Sequence, residues 1–402
     1  MDSYDIIMIA AEPWEHCTWR RRHHVAWNLA KENKVLFLEP PLTIIQPFTE
    51  INLSWKHLLN LGKLKYQGRK LYSFSPLRKF PLSMPFSRII DYDKINRKDV
   101  MRQVRNVINK LGFISPILWV YYRSYQYDYY GAFGEKLVVA DWYDKFTAPS
   151  GYDMTDEAIG EIRARENRIL EKADLVFAVS EELVKDVRNR NNKVFLVPQG
   201  VDINSFESAL DLGNNIKKKL GKLKRPVLGF LGIMHHIVDF DLLNYIADNR
   251  SHWSILLMGR EWLRNDDDIS SYRKLINKEN VYYVGELAKD LIPLYLKNVD
   301  VCLMPTKKIE LNRAATGPLK LWEYLAAGKP IVAVDQGVKY DCADYIRTAN
   351  DYADFVQQIE ECLKEGNDEE LVKQRKQVAK NNSWEARVKY MLDIINNEYG
   401  NK

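Results

Sequence analysis

No run of apolar residues in this chain of 402 approaches the roughly 18–20 that a membrane-spanning helix requires, which argues against a spanning protein. Only four cysteines occur, Cys17, Cys302, Cys342 and Cys362. They are scattered, with no C-x-x-C pair and no histidine at ligand spacing. That pattern favours free thiols in a reducing compartment and encodes no metal site. P-loop, H-E-x-x-H and G-x-S-x-G signatures are absent. So is G-x-G-x-x-G, which argues against a dinucleotide oxidoreductase. There is no internal repeat and no low-complexity segment. The N-terminus MDSYDIIMIA carries acidic residues and runs into a strand, unlike a secretory leader.

What is present is an ordinary globular composition, 46% hydrophobic and 28% charged, in a chain long enough for two domains. Apolar runs at 6–10, 34–40, 116–122, 136–142, 173–180 and 193–200 read as strands. The stretches 22–31, 100–111 and 158–172 read as helices between them. A polar connector at 203–225 follows. The alternation then restarts with strands at 225–232, 253–259, 281–285, 300–305 and 330–335. This predicts an α/β fold of two doubly wound, Rossmann-like domains joined near 205–224. A last helix is expected over 384–398, with Ser383 as its N-cap.

The net charge of +5 is unevenly spread. Residues 45–110 hold 14 Lys/Arg against 4 Asp/Glu, together with Trp55, Leu58, Leu59, Leu61 and the run FPLSMPF at 80–86. Such a mixture suits an anionic membrane surface, and equally a solvated basic face over core residues. No nucleic-acid-binding motif accompanies it.

The segment TGPLKLWEYLAAGKP, residues 316–330, is the most informative. Gly317 and Pro318 suit a loop that opens directly into a helix. Leu321, Tyr324 and Leu325 have the spacing of a buried face, and Gly328 with Pro330 ends the helix before the strand at 331–334. The helix start aims unpaired N–H groups at whatever precedes it, which suits a phosphate. Lys320 would add a full charge, and Glu323, one turn on, would accept hydrogen bonds from sugar hydroxyls. Other strand ends carry weaker signals. Gly229 and Gly232 would permit close approach to a ligand, with His235 and His236 beyond them. Arg260 follows Gly259 and can pair with phosphate. The turn Gly285-Glu286-Leu287 can read a nucleobase edge through its backbone. In open α/β sheets such strand ends form the ligand rim.

In the first half, a strand runs into Asp141-Trp142-Tyr143-Asp144. Either carboxylate can serve as a general base, or as a cap or turn residue. The loop after the first strand packs Glu15, His16, Arg20, Arg21, Arg22, His23 and His24 into one short stretch, so some of these are expected to face a cleft.

The chain resembles the GT-B glycosyltransferases, in particular the large retaining group called family 4. The resemblance is carried by ENRILEKADLVFAVSEELVKDV with VFLVPQGVDINSF, by VYYVGELAKDLIPLYLKNVDVCLMP and by GPLKLWEYLAAGKPIVAVD. The stretch PWEHCTWRRRHHVAWNLAKENKVLFLEPP is similar to a bacterial subgroup that builds cell-wall and capsular polysaccharides, including teichuronic acid. The resemblance implies an acceptor domain at 1–205, a nucleotide-sugar donor domain at 206–380, and a helix at 381–402 that returns to the first domain. By it, Thr316, Gly317, Pro318, Leu319 and Lys320 match the turn that holds the donor diphosphate. Glu323 matches the residue that holds its ribose, and Gly232, His235, Arg260, Gly285 and Leu287 complete the donor side. Trp14, His16 and Arg21 are assigned to the acceptor, and Asp141, then Asp144, to the base of an inverting reaction. The chain departs from the family where it has Ala315 in place of a second Glu, and where His235 and His236 stand near a missing basic pair.

The function implied is transfer from a nucleotide sugar, a UDP-sugar by preference, to a lipid-linked or polymeric glycan. No cofactor or metal is expected. The site of action implied is the cytoplasm or the inner face of the membrane, with 45–110 as the contact. An inverting glucuronosyltransferase-like enzyme, an NDP-sugar 2-epimerase-like isomerase and an inactive assembly partner are the alternatives.

Overall fold

The computed structural model describes residues 3–15, 19–42, 61–80, 91–121, 129–144, 155–208, 220–308, 319–336, 342–366 and 368–400. The chain divides into two compact units.

The first unit comprises Met1–Thr147, Met154–Val197 and Glu398–Lys402. Its strands are β1 (Asp5–Ile9), β2 (Lys34–Leu38), β3 (Leu64–Gly68), β4 (Leu71–Phe74), β5 (Ile117–Tyr121), β6 (Leu137–Trp142), β7 (Leu175–Ala178) and β8 (Val194–Leu196). They form one sheet in the order β3-β4-β2-β1-β5-β6-β7-β8, parallel except for the β3–β4 hairpin. The central strands are buried on both faces, which is why they read as continuous apolar runs. Helices α1 (Arg21–Leu29), α2 (Tyr92–Leu111), α3 (Asp156–Lys172) and α4 (Glu181–Arg188) cover the sheet. Helix α2 starts at Asp91, whose carboxylate accepts the Lys94 N–H, and it buries Val100, Val104, Val107 and Ile108 against β1 and β5. The helical part of the basic segment therefore contributes most of its apolar residues to the core, with Ile95 left exposed. Trp55, Leu58, Leu59 and residues 81–86 lie outside the described residues. At the end of the chain, the Tyr399 hydroxyl donates to the Asp174 carbonyl (2.8 Å), and Lys193 pairs with Glu398 (3.3 Å).

The second unit is built from Pro198–Asn397 with Ala148–Asp153. Its strands are β9 (Val227–Leu231), β10 (Ser254–Met258), β11 (Val281–Tyr283), β12 (Val301–Met304), β13 (Ile331–Val334) and β14 (Ile346–Ala349). All six are parallel, in the order β11-β10-β9-β12-β13-β14. The order reverses between β9 and β12, the switch point where such sheets open a crevice. Around the sheet lie α5 (Ile203–Glu207), α6 (Phe240–Asn249), α7 (Asp266–Ile276), α8 (Ile292–Lys297), α9 (Leu319–Ala326), α10 (Tyr352–Glu365) and α11 (Glu369–Asn381), and α12 (Trp384–Tyr399) follows, its last two residues counted with the first unit. Trp384 seats the start of α12 against Gly200, where a Cβ would come within 3.0 Å of the indole.

Every predicted strand is present. The β3–β4 hairpin and β14 were not expected, because LKYQG has no fully buried residue and IRTA buries only its two end residues, so both lack the doubly buried signature. Among the described residues no helix is long and apolar enough to cross a membrane.

Candidate functional site

The carboxyl ends of β9, β10 and β11 are laced together by their own backbone. Gly232 N–H donates to the Met258 carbonyl and Gly259 N–H to the Gly285 carbonyl, both at 2.8 Å. Met234 N–H donates to Arg260 O, and Trp262 N–H to Met234 O, both at 2.9 Å. The strand-end turns around Gly232, Arg260 and Gly285 thus share one rim. Gly229 departs from expectation. A Cβ there would lie 2.5 Å from the Val299 side chain, so its smallness serves packing inside the unit, not approach to a ligand.

Helix α9 is fixed beside this rim by a residue that the sequence marked only as core. The fully buried Tyr324 hydroxyl accepts the Leu231 N–H (2.8 Å) and donates to the Leu303 carbonyl (3.3 Å), so it ties the ends of β9 and β12 together at the switch point. The far end of α9 closes with Gly328 N–H to Leu325 O (2.9 Å) and Lys329 N–H to Tyr324 O (3.0 Å), the paired bonds of a Schellman stop.

This placement puts Lys320 over the rim. Its ammonium lies 4.4 Å from the centre of the Phe230 ring, and a Cβ on Gly232 would come within 3.0 Å of Nζ. Burial lowers the Lys320 pKa to about 8, against the opposing pull of Glu323. Burial likewise raises Glu323 to about 7, with Lys320 and Lys289 drawing it back. Lys289 is itself paired with Asp202 (2.7 Å). His235 is pushed down to about 4 by burial and then by the charges of Lys320 and His236. Its Nδ1 accepts the Ile237 N–H (3.4 Å), which leaves the proton of the neutral ring on Nε2. At neutral pH His235 is therefore a hydrogen-bond donor at this rim, not a second positive charge. Arg260 is half-buried, with its guanidinium 5.4 Å from the Trp262 ring centre. The Leu287 side chain packs on the core, while Leu319 opens α9. Thr316, Gly317, Pro318 and Ala315 lie outside the described residues, as does His16.

In the first unit, sequence positions 120 residues apart meet. Arg21 Nε donates to Asp141 Oδ1 at 2.8 Å, and both side chains are buried, Asp141 completely. Burial raises the Asp141 pKa, while Arg21, Tyr121 and Trp119 oppose the rise. Arg22 pairs with Glu12 (2.6 Å), donates to Tyr143 Oη (3.2 Å) and stacks over that ring. His23 lies 3.0 Å from the Pro13 carbonyl. Trp14 is 6% exposed and packs among Trp19, His23, Trp27 and Phe37. Four of the seven polar residues expected near a cleft, Arg21, Arg22, His23 and His24, are therefore buried at the start of α1. Asp144 is exposed just past β6. Replacing Asp141 with Asn keeps the shape but removes the charge facing Arg21. The expected cost is about 2 kcal/mol, since hydrogen bonds to charged groups contribute roughly 1.5–3 kcal/mol. Thermal unfolding checks this, and an unchanged midpoint would show that the pair contributes nothing.

Two Rossmann-like units, the second with its strand order reversing between β9 and β12, match the GT-B fold of glycosyltransferases. Solved structures of that architecture match nearly the whole chain. A sucrose-phosphate synthase from Thermosynechococcus elongatus superposes with a TM-score of 0.68 at 15% identity, covering 99% of this chain and 100% of that one. A glycosyltransferase from Rickettsia africae ESF-5 gives 0.64 at 15% identity over 100% of both chains. Anabaena Alr3699/HepE, solved in complex with UDP and glucose, gives 0.62 at 12% identity over 98% of this chain and 100% of that one. Residues 225–365, most of the second unit, match the family described as Glycosyl transferases group 1. The chain is also 28% identical over 232 residues to TuaH of Bacillus subtilis (strain 168), a glycosyltransferase named provisionally for teichuronic acid biosynthesis. That alignment spans 56% of this chain and 57% of the relative.

Proposed function

We propose that the protein transfers a sugar from a nucleotide sugar, a UDP-sugar by preference, to a lipid-linked or polymeric glycan in cell-surface polysaccharide synthesis. The observation that carries this reading is the seating of Lys320 over the Gly232 turn, with Glu323 one helical turn behind it. Leaving-group departure places negative charge on the diphosphate while the sugar gains oxocarbenium character. The Lys320 ammonium and the start of α9 offer that charge a preorganised partner, in the role a divalent ion fills elsewhere. Glu323 accepts the ribose hydroxyls, and the neutral His235 ring donates to the sugar or phosphate. On the acceptor side, Asp141, sealed against Arg21, acts as a positioning residue. Asp144, exposed just past β6, is the second carboxylate on this side and the one we assign to the acceptor hydroxyl. The name of the TuaH relative supports a cell-surface glycan as product.

Calorimetry with UDP tests the reading. Lys320 has a pKa of about 8 without ligand, and a bound diphosphate raises it, because a nearby opposite charge favours the protonated form. Binding near pH 8 is therefore expected to take up a fraction of a proton, seen as a dependence of the binding heat on the buffer's ionisation enthalpy. Affinity should fall as pH rises beyond 8 and Lys320 loses its charge. No UDP binding at any pH would overturn the reading. A screen of nucleotide sugars, with anomeric analysis of the product, then separates transfer and hydrolysis from epimerisation.

A further inference from the structure

A second cleft lies in the same unit, at the opposite ends of its strands. Its volume is about 1180 Å³, above the roughly 300–1,000 Å³ usual for small-molecule pockets. Lys329 and Pro330 on its wall immediately precede β13, and Lys297 ends α8 just ahead of β12. The cleft therefore opens at the amino ends of the strands, whereas Lys320 and Gly232 stand at the carboxyl ends.

Its lining combines two kinds of surface. One wall is a lysine stripe on α11, Lys373, Lys376 and Lys380, at the i, i+3, i+7 spacing of a single helix face. Lys297 stands among the other lining residues. These four side chains are exposed, and none forms an ion pair among the described residues. Lys329 is committed locally, since its ammonium donates to the Lys297 carbonyl (3.1 Å). The acidic residues of the lining are Glu207, Glu369 and Glu370. The latter two sit in the first turn of α11, where acids complement the helix dipole, and Glu370 accepts from Gln374 (3.0 Å). Along α11 the charge is thus segregated, with acids at the start and lysines beyond. The lining also includes Ile203, Phe206 and Val372, half-buried apolar side chains.

From this we infer that the cleft binds an acidic glycan chain, the polymer the enzyme extends, away from the transfer rim. The inference rests on the transferase reading above. Pyranose rings present C–H faces that suit the apolar lining and carboxylates that suit the lysines at one helical turn's spacing. A bilayer is disfavoured as the occupant because these residues line a concavity that a flat surface does not enter.

Oligogalacturonates are the probe, with neutral dextran oligomers and phosphatidylglycerol vesicles beside them. The wild-type chain should bind the acidic oligomers with an affinity that falls as salt rises, and should ignore dextran. The triple reversal Lys373→Glu, Lys376→Glu, Lys380→Glu should weaken that binding at least tenfold while leaving UDP affinity unchanged. Should the reversal fail to fold, Lys→Gln at the same three positions should still weaken it severalfold. Absence of oligogalacturonate binding by the wild type, equal binding by the variants, or binding of vesicles in place of the glycan would each overturn the inference. Retained UDP binding in those cases would leave the transferase reading standing, and loss of UDP binding by the wild type would remove it.

Discussion

Lys320→Ala is expected to lower kcat/KM for donor turnover by about 100- to 1,000-fold, or roughly 2.7–4 kcal/mol, the loss typical when one preorganised charge-stabilising donor is removed. The ammonium sits over the Phe230 ring beside the Gly232 turn, so it is in place before any donor arrives. Under the proposed transfer, no reorganisation is then required as charge develops on the leaving diphosphate. The effect should fall mainly on kcat, because the interaction strengthens as the glycosidic bond breaks. Stability should change little or rise, since burial already disfavours the charged form of this side chain. Lys320→Arg restores charge but not the compact shape of an ammonium held between Phe230 and Gly232, and should recover only part of the activity. Steady-state kinetics with a thermal midpoint for each variant checks both statements. An alanine variant with wild-type turnover would remove Lys320 from the chemistry.

Much of the architecture was legible because it is written in local patterns. The doubly buried parallel strands announce themselves as apolar runs. The α9 helix, with its buried Leu321, Tyr324 and Leu325 and its Gly328 stop, follows from spacing and capping alone. Pairings between distant positions were not legible in this way. Nothing in the spacing of the polar residues at 15–24 says that Arg21 will meet Asp141 across 120 positions. A dense polar stretch was therefore expected to place some of its residues on a cleft, whereas Arg21, Arg22, His23 and His24 are buried. Tyr324 shows the same limit. Its ring was predictable as core, but its hydroxyl's task of joining β9 to β12 depends on strand order. The β3–β4 hairpin was missed for a third reason: β3 is an edge strand with no fully buried residue, and β4 is only four residues long with polar Ser73 inside it.

The same rim yields a stability experiment that separates two reasons for keeping a glycine. Gly259 and Gly285 both have positive φ, 142° and 77°. A Cβ at Gly285 would meet nothing within 4 Å, whereas at Gly259 it would fall 1.9 Å from the Gly232 carbonyl oxygen. Gly285→Ala therefore introduces backbone strain alone, about 1–2 kcal/mol. Gly259→Ala adds a collision between two backbones, and neither can yield. Gly232 is held by its bond to Met258, and Gly259 by its bond to Gly285. Its expected cost is at least about 4 kcal/mol, a size reserved for a few mechanisms of which strain at a special backbone position is one. For a unit of this size that corresponds to a fall in midpoint of roughly 8–16 °C, against roughly 2–8 °C for Gly285→Ala. Because the turns that collide are those beneath Lys320, Gly259→Ala should also lose UDP binding at temperatures where the fold persists. Equal midpoints for the two variants would mean that the rim is looser than its hydrogen bonds imply. It would also mean that the close approach of β9 and β10 does not set the position of the turn beneath Lys320.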